Sequence, residues 1–329
     1  MICFSALGEC QIVHIDKTNQ MPVLSDDDLL AEMLRKVPDY LWAKSEFDVG
    51  LMHSAQPVHI TLRPQCHPPF VRQYPISNQH ADAAISTTIN GLLEAGVLRK
   101  TSRPMSCTPI LPVKKSHGNT YRLVNDLRSL NSVVEDSPQF AEVPNPHVIL
   151  CNIPPDCTFY SVIDIKNAFY SLRVAKDSQH LLSFMYKGQS YVYQRLAQGY
   201  KNAPCIFNHA LKQDLACLEG KVQSVVLAYS DDIIIASHSR EQCHEDSITV
   251  LQTLAQNGHR VSKSKLQYCQ DKVEYLSRVI SHGTKSISPC HPKEHSRTPT
   301  KAGQPRIFRA TETRSAPQVI QPNPHIIMT

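Results

Sequence analysis

Asp231 and Asp232 stand side by side in "LAYSDDIIIAS", between the apolar run 225–228 and the isoleucines Ile233, Ile234 and Ile235. Runs rich in β-branched residues on either side of a short polar break read as a β-hairpin with the acids at its tip. Alone, the pair is ordinary turn chemistry. A third acid changes the reading. Asp164, in "YSVIDIKNAFYSL", ends another apolar strand, where Lys166 is the only local candidate for an ion-pair partner. Strand ends can hold carboxylates close together when divalent cations neutralise their repulsion. Two Mg²⁺ ions held in this way can clamp the attacking and leaving oxygens of an in-line displacement at phosphorus.

Several elements must position these acids. "SDDDLLAEMLRKVPDYLW" predicts a helix with Ser25 as N-cap, Asp26 to Asp28 in the first turn, and an apolar face of Leu29, Leu30, Met33, Leu34 and Val37. Pro38 stops it. Residues 56–75 are proline-rich and extended. Ala81, Ile85, Ile89, Leu92 and Leu93 recur at helical spacing, and Gly96 closes that helix. "CTPILPVKK" and "YRLVND" read as strands around a turn at "SHGN". "LLSFMYKGQSYVYQRL" reads as a hairpin around Lys187-Gly188. Asp164 leads from its strand into a helix. "NAPCIFNHALKQDLACL" and "REQCHEDSITVLQTLAQNG" are helices on either side of the Asp231 hairpin, and "KVEYLSRVIS" is one further strand.

The chain has 329 residues, 41% of them hydrophobic, with a net charge of +5, enough for two or three subdomains with a real core. Residues 1–50 are acidic, and the middle carries a mild basic excess compatible with a polyanionic partner. The 11 cysteines form no C-x-x-C pair and lie within apolar segments, so they read as reduced thiols. The first residues lack the basic and apolar regions of a signal peptide, and no apolar run is long enough to span a membrane. The expected location is therefore intracellular, cytoplasmic or nuclear, without secretion or membrane attachment. His282, Cys290, His291 and His295 match no established zinc spacing. After Pro289 the chain is proline-rich without a sustained period, and reads as disordered.

Four blocks in order carry a family resemblance: "LPVKKSHGNTYRLVNDLRSLN", "YSVIDIKNAFYSL", "RLAQGYKNAPCIFNHAL" and "LAYSDDIIIAS". Together they resemble the polymerase portion of retroviral-type reverse transcriptases, in particular gammaretrovirus-like and endogenous retroviral Pol proteins. The resemblance covers roughly residues 25–288. It implies an α+β, right-hand polymerase architecture, with an antiparallel palm sheet backed by helices. Residues 1–50 would be an N-terminal extension with one helix, and 51–288 the reverse transcriptase domain. The fingers would take about 51–145 and 176–200, and the palm about 146–175 and 201–288. Residues 289–329 would be a tail outside the family, with the thumb missing or degenerate.

The resemblance also implies roles. Asp164 and Asp231, with the Ile165 carbonyl, match the ligands of two Mg²⁺ ions, for which Mn²⁺ is a substitute, and Asp232 matches the third carboxylate. Lys115 and Arg122 match groups that grip the triphosphate of a dNTP, where a point charge and a planar fork suit the work. The backbone amides of Asn167 and Ala168 match others. Phe169 matches the residue that stacks under the sugar and rejects a 2′-OH. Gln198 and Gly199 would line the nucleotide and an RNA or DNA template. Tyr229 would face the primer end, and Tyr275, Leu276 and Ser277 would grip the primer.

Four departures from the family pattern stand out. Asn167 replaces Asp, Ala197 replaces Pro, Ser230 fills a variable position, and Ser277 replaces a Gly that can adopt backbone angles closed to Ser. The alternative to RNA-directed DNA polymerase activity is a weak or inactive Pol remnant that at most binds nucleic acid. RNase H activity would be implied by the family name alone, since no acidic set for it is present.

Overall fold

A computed structural model describes residues 25–102, 104–115, 120–136 and 145–287. Helix α1 (Asp26–Lys36) begins at a Ser25–Asp28 capping box, as its acidic first turn predicts. Helix α2 (Gln79–Glu94) is capped by Asn78 and buries Ala81, Ile85, Ile89 and Leu92. Strands β1 (Leu98–Thr101), β2 (Ile110–Lys114) and β3 (Tyr121–Asn125) follow, then the short helices α3 (Arg128–Asn131) and α4 (Pro146–Cys151). Strand β4 (Phe159–Asp164) leads to a single 3₁₀ turn, Ala168–Ser171, and not to an α-helix. Asn167, at φ 52°, turns the chain there.

Strands β5 (Ser183–Tyr186) and β6 (Gln189–Tyr193) form the predicted hairpin, with Lys187 and Gly188 both at positive φ as a two-residue turn requires. Helix α5 (Ala203–Leu215), the hairpin β7 (Val225–Tyr229) and β8 (Asp232–Ser237), and helix α6 (Arg240–Gln256) come next. Four short strands complete the described chain: β9 (Gln267–Gln270), β10 (Lys272–Tyr275), β11 (Arg278–Ser281) and β12 (Thr284–Ile287).

The central sheet runs β7-β8-β4-β9, every pair antiparallel. Both its faces are covered, which is why the isoleucine run is continuous and not alternating. Ile233 and Ile235 join Ile163 in the main core with Phe207 of α5 and Leu251 of α6. Ile234 and Ala236 face the other way, into a second core with Tyr160, Val162, Ile149 of α4, and Val273 and Ile280 of β10 and β11. Smaller sheets, β1-β6-β5, β2-β3 and β10-β11-β12, surround it. The main core also takes in Met33, Val37, Leu41 and Trp42, so the segment that carries α1 packs as part of the same body.

The segment "KVEYLSRVIS" is two strands and not one. It folds as the β10–β11 hairpin, with Leu276 at φ 50° and Ser277 at φ 60° in its turn. The described cysteines are all free. Among the described residues no helix is long and apolar enough to cross a membrane. Residues 288–329, including Cys290, His291 and His295, lie outside the described residues, as do residues 1–24.

Candidate active site

The β7–β8 turn and the end of β4 meet at one edge of the central sheet. Asp164 pairs with Asp232 across β4 and β8, and Asp232 pairs with Tyr229 across the hairpin. Ser230, at φ 53°, and Asp231 form the tip. The Ile165 amide donates to the Asp231 carbonyl at 2.7 Å, which fixes the tip against β4. All three acids predicted from the sequence are thus brought together by backbone pairing.

The electrostatics follow from that crowding. Asp232 is half-buried at the start of β8. Burial first, then the charges of Asp231 and Asp164, push its carboxyl up to about 6, against a downward pull from Lys265. Lys265 Nζ donates to Asp164 Oδ2 at 2.8 Å. Burial lowers the Lys265 pKa, but the bond to Asp164 and the charges of all three aspartates outweigh it, and the net shift is upward. The partner of Asp164 is therefore Lys265 and not the local Lys166. One lysine against three carboxylates leaves negative charge uncompensated, and an all-oxygen donor set of this kind suits a hard divalent cation such as Mg²⁺.

Three strands of chain are stitched beneath the acids at Val261. Val261 bridges both Trp42 and Ile165, and the Ser262 amide donates to the Asp164 carbonyl at 3.0 Å. Ile165 is buried, as is Ala168. Asn167 Nδ2 donates to the Glu46 carbonyl at 2.9 Å, and Glu46 pairs with Lys115 at 3.6 Å, which links Lys115 to the loop after Asp164. Arg122 lies opposite Val113 on β3 and is exposed, with no contact to the carboxylates among the described residues. Phe169 is half-buried, edge-on to Phe207 with ring centres 5.9 Å apart.

Gln198 and Gly199 are exposed, and Asn131 Nδ2 donates to the Gly199 carbonyl at 2.9 Å. Ala197, one residue earlier, is fully buried. On the other side Tyr275 is buried and its hydroxyl donates to the Asp232 carbonyl at 3.5 Å. Tyr229 and Leu276 pack on the same second core, while Ser277 is exposed at the turn. The sequence reading missed Lys265, Glu46 and Asn131. The lysine cluster in "SKSK" was its only signal for Lys265, and nothing in it points to an acid 101 residues away.

A profile of the family described as "Reverse transcriptase (RNA-dependent DNA polymerase)" matches residues 113–280, about half the chain, and spans all three acids. The chain belongs to the reverse transcriptase family. Its similarity extends to retroviral polyproteins. The Gag-Pol polyprotein of Walleye dermal sarcoma virus is 37% identical over 258 residues, 78% of this chain and 14% of that one. The Pol polyprotein of Feline endogenous virus ECE1 is 38% identical over 256 residues, 75% of this chain and 24% of that one. The chain thus spans less than a quarter of the length of these curated relatives. Among solved structures, the foamy viral protease-reverse transcriptase in complex with double-stranded DNA superposes with a TM-score of 0.72 at 28% identity, covering 82% of this reverse transcriptase chain and 45% of the other. The foamy viral enzyme in complex with an RNA/DNA hybrid gives a TM-score of 0.69 at 27% identity, covering 86% and 38%. The mixed α/β fold with antiparallel sheets is therefore that of the fingers and palm of a retroviral polymerase.

Proposed function

We propose that this chain is the polymerase module of an endogenous retroviral Pol protein, an RNA-directed DNA polymerase that adds dNTPs to a primer on an RNA or DNA template. The observation that carries the reading is the convergence of Asp164, Asp231 and Asp232 at one sheet edge, where Lys265 is the one cation paired with them among the described residues. The similar Pol of a feline endogenous virus supports the endogenous source.

In this reading Asp164, Asp231 and the Ile165 carbonyl hold two Mg²⁺ ions, or Mn²⁺ in their place, and Asp232 is the third carboxylate. When bound, the ions neutralise phosphate charge and favour the deprotonated primer hydroxyl. The primer 3′-oxygen attacks the α-phosphorus of the dNTP, the bond to the β-phosphate oxygen breaks, and pyrophosphate leaves. Lys115 and Arg122 hold the triphosphate, with the amides of Asn167 and Ala168. Phe169, braced by Phe207, excludes a 2′-OH. Gln198 and Gly199 line the template side. Tyr229, Tyr275, Leu276 and Ser277 hold the primer end, with Tyr275 anchored to the Asp232 backbone.

Primer extension on an RNA template at low salt, with Mg²⁺ and dNTPs, tests this reading beside Asp231→Asn. Extension by the wild-type chain and at least a hundredfold loss in the variant is expected. No extension by a chain shown to be folded overturns it. That outcome favours the second reading, a remnant that only binds nucleic acid. The strained Ser277 in the primer-side turn is the observation on that side.

A further inference from the structure

The β4–β8 pair has a second end, opposite the three aspartates. There the chain entering β4 carries Asp156 and Cys157, and the chain leaving β8 carries His238. A carboxylate oxygen of Asp156, the Cys157 sulfur and a ring nitrogen of His238 all lie within 4.8 Å of one another. His238 Nδ1 is already turned toward Asp156, 3.5 Å from its Oδ2. Cys157 is fully buried beneath them, while Asp156 and His238 are exposed at the rim.

The backbones that carry these side chains are fixed. The Thr158 amide donates to the Ser237 carbonyl at 2.9 Å, and the Thr158 hydroxyl donates to the His238 carbonyl at 2.9 Å. The Tyr160 hydroxyl donates to the Cys157 carbonyl and accepts from the Gly283 amide. Gly283 rests against Pro155 so closely that a Cβ there would collide with the Pro155 carbonyl. The three donors thus project from pinned chain, with their ligand atoms within 4.8 Å of one another.

Their chemistry differs from that of the other end. Three carboxylates suit a hard cation, whereas one thiolate, one imidazole and one carboxylate suit a borderline ion of the zinc class, in a tetrahedral shell completed by water. We propose that Asp156, Cys157 and His238 form a Zn²⁺ site that clamps the β4–β8 pair at the end remote from the carboxylates. On binding, the Cys157 thiol gives up its proton to solvent as the zinc–sulfur bond forms. The site is independent of polymerase activity.

Titration of the metal-free full chain with Co²⁺ as a zinc surrogate tests it. A thiolate-to-cobalt charge-transfer band that saturates at one ion per chain is expected. It should persist in Asp231→Asn, and should weaken at least tenfold in affinity in His238→Ala and Asp156→Asn. Both of those changes are at exposed positions and leave the core intact. Zn²⁺ should raise the melting temperature of the wild-type chain and not that of His238→Ala. No thiolate band, or a band unchanged in both variants, overturns the proposal, since another cysteine would then supply the sulfur.

Discussion

Asp232 titrates higher than an ordinary carboxyl because burial and two neighbouring acids disfavour its charge. The folded chain therefore holds a proton that the unfolded chain releases between its ordinary value of 3.8 and about 6. Folding stability of the metal-free chain falls as pH rises through that window and levels off above it. Asp232→Asn removes the charge, so in a chelating buffer at pH 7.5 the variant should be more stable by about 1–2 kcal/mol, after allowance for screening. Urea unfolding at pH 4.5 and 7.5 measures this, and equal pH dependence in the two proteins would contradict it. Ser277 is the other residue with a sharp consequence. A two-residue hairpin turn with both positions at positive φ favours Asn-Gly, and here it is Leu276-Ser277. A left-handed residue other than glycine costs about 1–2 kcal/mol. Ser277→Gly should stabilise the chain by about 1 kcal/mol net of glycine's added chain entropy, and Ser277→Val should destabilise it. Thermal melting decides, and a lower melting temperature for Ser277→Gly would refute the strain. The acids at the hairpin tip were legible because a turn between two apolar runs is a local pattern. Lys265 was not, because its bond to Asp164 exists only once the sheet has formed.

At the scale of elements, α1 and α2 were legible from caps, stops and periodicity, α5 and α6 as helical segments flanking the acidic hairpin, and the β5–β6 and β7–β8 hairpins from their polar breaks. The β10–β11 hairpin was not, since Leu276-Ser277 holds none of the Gly, Asn or Asp that a turn with both positions at positive φ favours. The burial of Val273, Tyr275 and Ile280 in the second core imposes that turn. The same limit hid the link between α5 and the end of α6. Asp214 reads as a surface acid on a helix, yet it is buried, and its Oδ2 meets His259 Nε2 at 2.8 Å. The Ser54 hydroxyl donates to its other oxygen. Disturbing a buried hydrogen bond so that a polar group is left without its partner costs about 1–3 kcal/mol. Asp214→Asn should lower the unfolding free energy by that amount, seen as a lower urea midpoint with an unchanged slope. A loss below about 1 kcal/mol would mean that the pair does not hold the two helices together. Cys157 and His238 likewise share no sequence pattern, because only strand pairing brings positions 81 apart to one place.

For the whole molecule, the region that matches the family profile is smaller than the unit that folds. Residues 113–280 omit β1, which pairs with β6, and α2, whose Ile85 and Ile89 are fully enclosed. They also omit Trp42 and Ala43, which meet Val261 beneath Asp164. A chain of residues 113–280 should therefore show no cooperative urea transition, whereas 25–287 should unfold in one step. A sharp transition in the shorter chain would show that the omitted elements are dispensable. The bond from the Ala43 amide to the Val261 carbonyl has a further consequence, for the order of events during synthesis. Its partners are separated by about 220 residues, so at roughly 5–20 residues per second Ala43 waits about 10–40 s before Val261 is made. Throughout that interval the segment that carries Met33, Leu41 and Trp42 lacks helix α6 and Val261, which meet it in the folded chain. The ribosome must finish most of the polymerase before the floor of the carboxylate cluster can close, and the nascent chain is most open to chaperones and to proteases until then.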